Sequence, residues 1–146
     1  MGTQDHNLIS RNFAVASSGS TAVEFALLAP LYLLLIMGMT AYGIYFGAAH
    51  SVQQISADAA RAAVAGVSPA ERRGLATTFV NRNAAGYLFI DVDHLSVSLA
   101  TQPEETQFQV VVSYDASKLP IWGLFEGLSM PNQTIQRRST IRVGGI

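Results

Sequence analysis

The sequence predicts an α+β protein: a long N-terminal transmembrane and stalk helix, a second helix, and a small antiparallel β-sheet head. Three observations carry that expectation. First, no residue from Phe25 to Ala49 carries a charge, and a bilayer core of about 30 Å needs only about 20 helical residues at 1.5 Å each. Second, the stretch Ser68-Pro69-Ala70-Glu71 has the residues of a helix start and is followed by apolar residues at helical spacing. Third, from Leu95 onward apolar residues recur at every second position, the period of a half-buried strand. The domains expected are a leader over 1–19, a transmembrane and stalk helix over 20–66, and a head over 67–146.

Composition agrees with a membrane segment attached to a modest domain. Charged residues are 13% of the 146 and hydrophobic residues 49%, against about 25% charged in a typical soluble domain. Net charge is −1, and the basic dipeptides Arg72-Arg73 and Arg137-Arg138 make no cluster. No nucleic-acid partner is expected. The absence of cysteine excludes a lipoprotein anchor, a disulfide framework and thiolate metal sites.

In chain order, residues 1–19 are polar, dense in small residues from Ala14 to Gly19, and read as a flexible leader. The apolar run that follows is too long for the core of a secretory signal, about 7–15 residues, and reads as a retained membrane helix. Arg11 precedes it, and Arg61, Arg72 and Arg73 follow it, so charge alone barely sets its orientation. Pro30 should weaken one backbone hydrogen bond and bend the helix. Gly43, Gly47 and Ser51 form a small-residue stripe that would let another helix approach closely, although such spacing also arises by chance in glycine-tolerant membrane helices. Tyr42, Tyr45 and Phe46 would form an aromatic belt at the far interface.

Beyond Ser51 the helix turns amphipathic, with Val52, Ile55, Ala59, Ala62 and Ala63 set against Gln53, Gln54, Asp58 and Arg61. Arg61 either bonds carbonyls or phosphates near the membrane or belongs to a solvated face. Gly66 stops this helix. The second then runs to about Ala85, burying Leu75, Ala76, Phe79 and Val80, with Gly86 as its stop.

The rest is strand-like. Leu95, Val97 and Leu99 pair across a turn at Gln102–Glu105 with Phe108, Val110, Val112 and Tyr114, leaving Gln109, Val111 and Ser113 on the other face. A strand from about Thr134 to Val143 puts Ile135, Ile141 and Val143 on one side, and Tyr87 to Val92 is a further candidate strand. Leu119 to Phe125 is too apolar for a free loop and should tuck into the core, the alternative being a contact surface for a partner or membrane.

Glu24 is the anomaly, a lone carboxylate at the mouth of the apolar run. One reading places it in the interface, where water reaches it; the other gives it a partner deeper in. If the chain is cut after Gly19, Ser20 becomes the first residue, Glu24 the fifth and Phe25 the sixth. That arrangement resembles the type IV pilin class. The longer run Ala22-Val23-Glu24-Phe25-Ala26-Leu27, with Pro30 and a leucine-rich continuation, resembles the TadE-like minor pseudopilins of tight-adherence (Tad, or Flp) type IV pilus systems. Tyr114, Leu119 and Pro120 match a looser pattern in the head.

The resemblance implies a pilin-like fold and cleavage between Gly19 and Ser20 by a prepilin peptidase. It also implies pairing of Glu24 with a new terminal amine during pilus assembly, with the head on the extracytoplasmic, periplasmic side of a bacterial inner membrane. The partners it implies are the membrane, the peptidase, other pilins and pseudopilins, and Tad assembly proteins. One departure is Ala41, where relatives often carry a second glutamate.

Little else suggests chemistry. Asp91-Val92-Asp93-His94 resembles a metal cluster, with both aspartates on one strand face, but no further ligand recurs at suitable spacing, and His6 and His50 lie elsewhere. No nucleophile motif, P-loop or dinucleotide fingerprint is present. We expect no enzyme, no cofactor and no small-molecule substrate. Two function classes remain: a processed minor pseudopilin acting by helix packing and protein–protein contact, and an uncleaved single-pass membrane scaffold or sensor with a binding head. The mature N-terminus, Ser20 or Met1, separates them.

Overall fold

The computed structural model describes residues 6–101, 107–124 and 130–142, with the backbone alone for 6–18, 101 and 124. The chain divides into two compact units, Met1–Thr40 and Ala41–Ile146. One helix, α1 (His6–Ala63), contributes to both. The stretch expected as a flexible leader is therefore helical from His6. No glycine or proline interrupts it before Gly19, which removes the strongest helix breakers.

In the first unit every described side chain from Gly19 to Thr40 is at least partly exposed. Phe25, Leu27, Leu31, Tyr32, Leu33, Leu34, Leu35 and Ile36 are all among the exposed large hydrophobic residues. A helix apolar all round is the pattern of a membrane span, and this one is long and apolar enough to cross a bilayer. The helix continues through Pro30, which has no N–H to donate to the previous turn. Thr40 satisfies its hydroxyl within the helix, donating to the Ile36 carbonyl at 2.9 Å.

The second unit is the head. Its core begins on α1 itself: Ala41, Ala48, Ala49, Val52, Ile55, Ala59, Ala60 and Ala63 are buried. The apolar run thus changes role before it ends, because Ala41, Ala48 and Ala49 pack in the head. The amphipathic stripe matches expectation except that Ala60 is buried while Ala62 is half-buried, and Ser56 joins it. Ser56 donates its hydroxyl to the Val110 carbonyl at 3.1 Å and tolerates full burial for that reason.

After α1, Gly66 makes a close crossing: a Cβ there would lie 2.7 Å from the Arg72 backbone nitrogen. Helix α2 (Pro69–Asn83) starts where expected. Ser68 accepts from the Glu71 N–H at 3.2 Å, and the Glu71 carboxylate accepts in return from the Val67 N–H at 2.9 Å, one residue earlier than in the usual capping box. Ala76 and Val80 are buried; Leu75 and Phe79 are half-buried. The helix passes into a 3₁₀ turn over Ala84–Gly86, so Gly86 closes that turn rather than α2.

Three strands, β1 (Leu95–Thr101), β2 (Gln107–Asp115) and β3 (Thr134–Arg142), form an antiparallel sheet with β2 central. The register pairs Leu95 with Tyr114, Val97 with Val112 and Leu99 with Val110, which places both apolar rows on one face. Across β2–β3, Ile135 pairs with Tyr114 and Ile141 with Phe108. Phe108, Val110, Val112 and Tyr114 are buried, in alternation with half-buried neighbours. Each buried side chain of this size stabilises the fold by about 1.5–3 kcal/mol.

The hairpin turn 102–106 and Val143 lie outside the described residues. Residues 87–92 form no strand among the described residues; they turn, and Asp91 caps a 3₁₀ turn over Val92–His94. Leu119 and Ile121 are buried, and Trp122 donates its indole N–H to the Ala116 carbonyl at 2.6 Å. That is the tucked arrangement expected of this apolar segment. Phe125 lies outside the described residues.

Candidate functional site

The residues singled out by sequence fall into two groups on α1. The first, Gly19, Ser20, Glu24, Phe25 and Pro30, lies in the apolar unit. All five are exposed, and a Cβ on Gly19 would meet nothing within 4 Å. Ser17, Ser18, Gly19, Ser20 and Thr21 are five successive weak helix formers, and glycine in a helix interior costs about 1 kcal/mol relative to alanine. The Gly19–Ser20 bond therefore sits in a stretch of low helix propensity. Among the described residues none forms an ion pair with Glu24. Its carboxylate is exposed, and no other residue from Gly19 to Ala49 is charged.

The second group, Gly43, Gly47 and Ser51, lies in the head unit. Gly43 is open, with nothing within 4 Å of where a Cβ would stand, and Ser51 is buried. Gly47 is covered from within the chain: a Cβ there would lie 2.8 Å from the Phe89 ring. Phe89 has φ of 60°, the left-handed region that bulky residues rarely adopt. It occupies the third position of a turn closed by the Ile90 N–H on the Tyr87 carbonyl at 3.4 Å, a place usually given to glycine.

Tyr87 fixes the start of the same turn. Its hydroxyl donates to Asp58 Oδ2 at 2.8 Å. Burial, then the hydrogen bond to that carboxylate, push the phenol up to about 12. Asp58 also accepts from Arg61 at 2.6 Å. Arg61 is thus engaged with a neighbour on its own helix, with most of its side chain in solvent.

The Asp91–His94 cluster works locally. Asp91 accepts from the Asp93 N–H at 3.1 Å and stands 4.0 Å from the His94 ring. The two aspartates do not share a strand face, because the segment is a capped turn. Asp115 similarly caps the 3₁₀ turn Ala116–Lys118, and donation from Ser117 lowers its carboxyl below the ordinary value.

Sequence reasoning missed Ser56, Tyr87 and Phe89. Ser56 could have been found from its place in the Val52–Ala63 stripe. The role of Phe89 leaves no sequence signal, since it depends on a positive φ at a non-glycine residue.

Residues 19–61 match the family model described as TadE-like protein. The match opens at Gly19, spans Glu24, Phe25, Pro30, Gly43, Gly47 and Ser51, and ends before α2 and the sheet. No curated protein and no solved structure matches the chain.

Proposed function

We propose that this TadE-like chain is a minor pseudopilin-like component of Tad/Flp pilus assembly, processed by prepilin peptidase between Gly19 and Ser20. The observation that carries the reading is the position of Glu24, fifth from that junction, within a segment that matches the TadE-like model from Gly19 onward. Cleavage would free an ammonium at Ser20 beside a carboxylate in an apolar setting. Each charge alone is costly to remove from water, and together they cost less. In this reading the pair forms between neighbouring subunits, the apolar helices pack, and the head faces the periplasm and contacts other pilins and assembly proteins. The chain acts without catalysis, cofactor or small-molecule substrate.

The mature N-terminus tests the reading. Co-expression with the cognate peptidase should yield a product beginning at Ser20, and Gly19→Leu should retain full-length mass on an immunoblot. Identical full-length mass for both proteins would leave the uncleaved scaffold reading in its place.

A further inference from the structure

We infer that the Tyr87–Ile90 turn is a second membrane contact, an interfacial anchor that seats Leu88 and Phe89 in the lipid headgroup and upper acyl region. The inference rests on α1 crossing a bilayer and does not depend on pilus assembly.

Two tethers hold the turn against α1. The Tyr87 hydroxyl reaches Asp58, and the Phe89 ring covers Gly47. Those α1 positions lie about 16 Å apart along the axis at 1.5 Å per residue. Asp58 is the first charged residue beyond the apolar run, whereas Gly47 lies inside that run. The turn therefore passes from the level of the polar stalk to the level of the run's distal end.

At that level large apolar side chains are exposed, beside a polar group, His50, which bonds Gln54. Phe46 is 62% exposed and Tyr42 42%, with ring centroids 6.1 Å apart. Leu88 is 66% and Phe89 40% exposed. Tyrosine concentrates at membrane–water interfaces, and Leu and Phe are the apolar residues that interfacial segments bury at the headgroup–acyl boundary. No Asp, Glu, Lys or Arg lies between Arg82 and Asp91 to oppose entry.

The backbone agrees. A glycine at position 89 would relax the turn, yet the chain places a phenylalanine there with positive φ. Strained residues persist where the surroundings hold them, and they concentrate at functional contacts. Here the held feature is a ring on Gly47 that projects its neighbour Leu88 outward.

The chain has no cysteine, so single-site spin labelling tests the anchor directly. Full-length Leu88→Cys, Ser98→Cys and Leu34→Cys proteins would each be nitroxide-labelled and reconstituted in phosphatidylcholine vesicles. Collision rates with oxygen, which favours lipid, and with a water-soluble nickel chelate would then be compared. Ser98 is exposed on the sheet and serves as the aqueous reference; Leu34, in the apolar unit, is the lipid reference. The anchor predicts an oxygen-to-nickel ratio at Leu88 several-fold above Ser98 and below Leu34. A ratio at Leu88 equal to Ser98 overturns it. Low access of both reagents at Leu88 also overturns it, in favour of a protein partner. A water-like ratio at Leu34 would remove the spanning helix itself, and the anchor with it.

Discussion

Glu24 concentrates the functional question at one residue. Its carboxylate is exposed in an apolar segment and forms no ion pair among the described residues. Glu24→Gln makes the helix more apolar and should leave insertion and cleavage intact. If Glu24 pairs with a neighbouring subunit's amine as proposed, assembly should fail, because removing one partner of a buried pair costs about 3–5 kcal/mol. Equal membrane levels and equal processing, with surface pili and pilin crosslinks lost, is the expected outcome; normal pili would make Glu24 an interfacial residue only. Tyr87 gives a second test at this scale. Burial and the hydrogen bond to Asp58 push its phenol from the ordinary 10.0 up to about 12 in the folded chain. The unfolded chain therefore loses this proton first, and the stabilisation present below pH 10 declines as pH rises toward 12. The thermal midpoint of wild type should fall more steeply across that window than that of Tyr87→Phe. Parallel curves would mean the hydrogen bond to Asp58 is not coupled to folding.

Elements supply the next tests. The central strand presents Val110 to the core and Gln109 to the opposite face, paired with Thr140. Val110→Asp loses about 1.5–3 kcal/mol of burial and adds an unpaired buried charge. It should abolish the cooperative thermal transition of the head, while Gln109→Asp should shift it only slightly. Equal effects would show the two faces to be alike in energy. At the junction of α1 and α2, Gly66→Ala forces a methyl to 2.7 Å from the Arg72 backbone nitrogen. Backbone there cannot yield cheaply, so a loss of about 1–3 kcal/mol is expected in chemical denaturation. No change in midpoint would mean the crossing has slack.

For the whole molecule, the division of α1 matters most. The residues from Ala41 to Ala63 form one side of the head's core, including Val52 and Ile55 at full burial. A fragment spanning 41–146 should therefore show a cooperative melting transition, and one spanning 67–146 should not. Cooperative melting of the shorter fragment would show that the sheet and α2 suffice. The sequence by itself determined the period of each element: the charge-free run, the Ser68–Glu71 cap and the two alternating strands all follow from local spacing. It also placed Glu24 at the fifth position from Gly19, because that is a matter of counting. Only the tertiary structure decided where the apolar run stops facing outward, since alanine suits a membrane and a close helix–sheet contact equally well. It likewise decided that Gly47 receives a phenylalanine ring from the same chain. Gly43 and Gly47 look alike in sequence, yet only Gly47 is closely approached, because what approaches lies in contacts between residues distant in sequence.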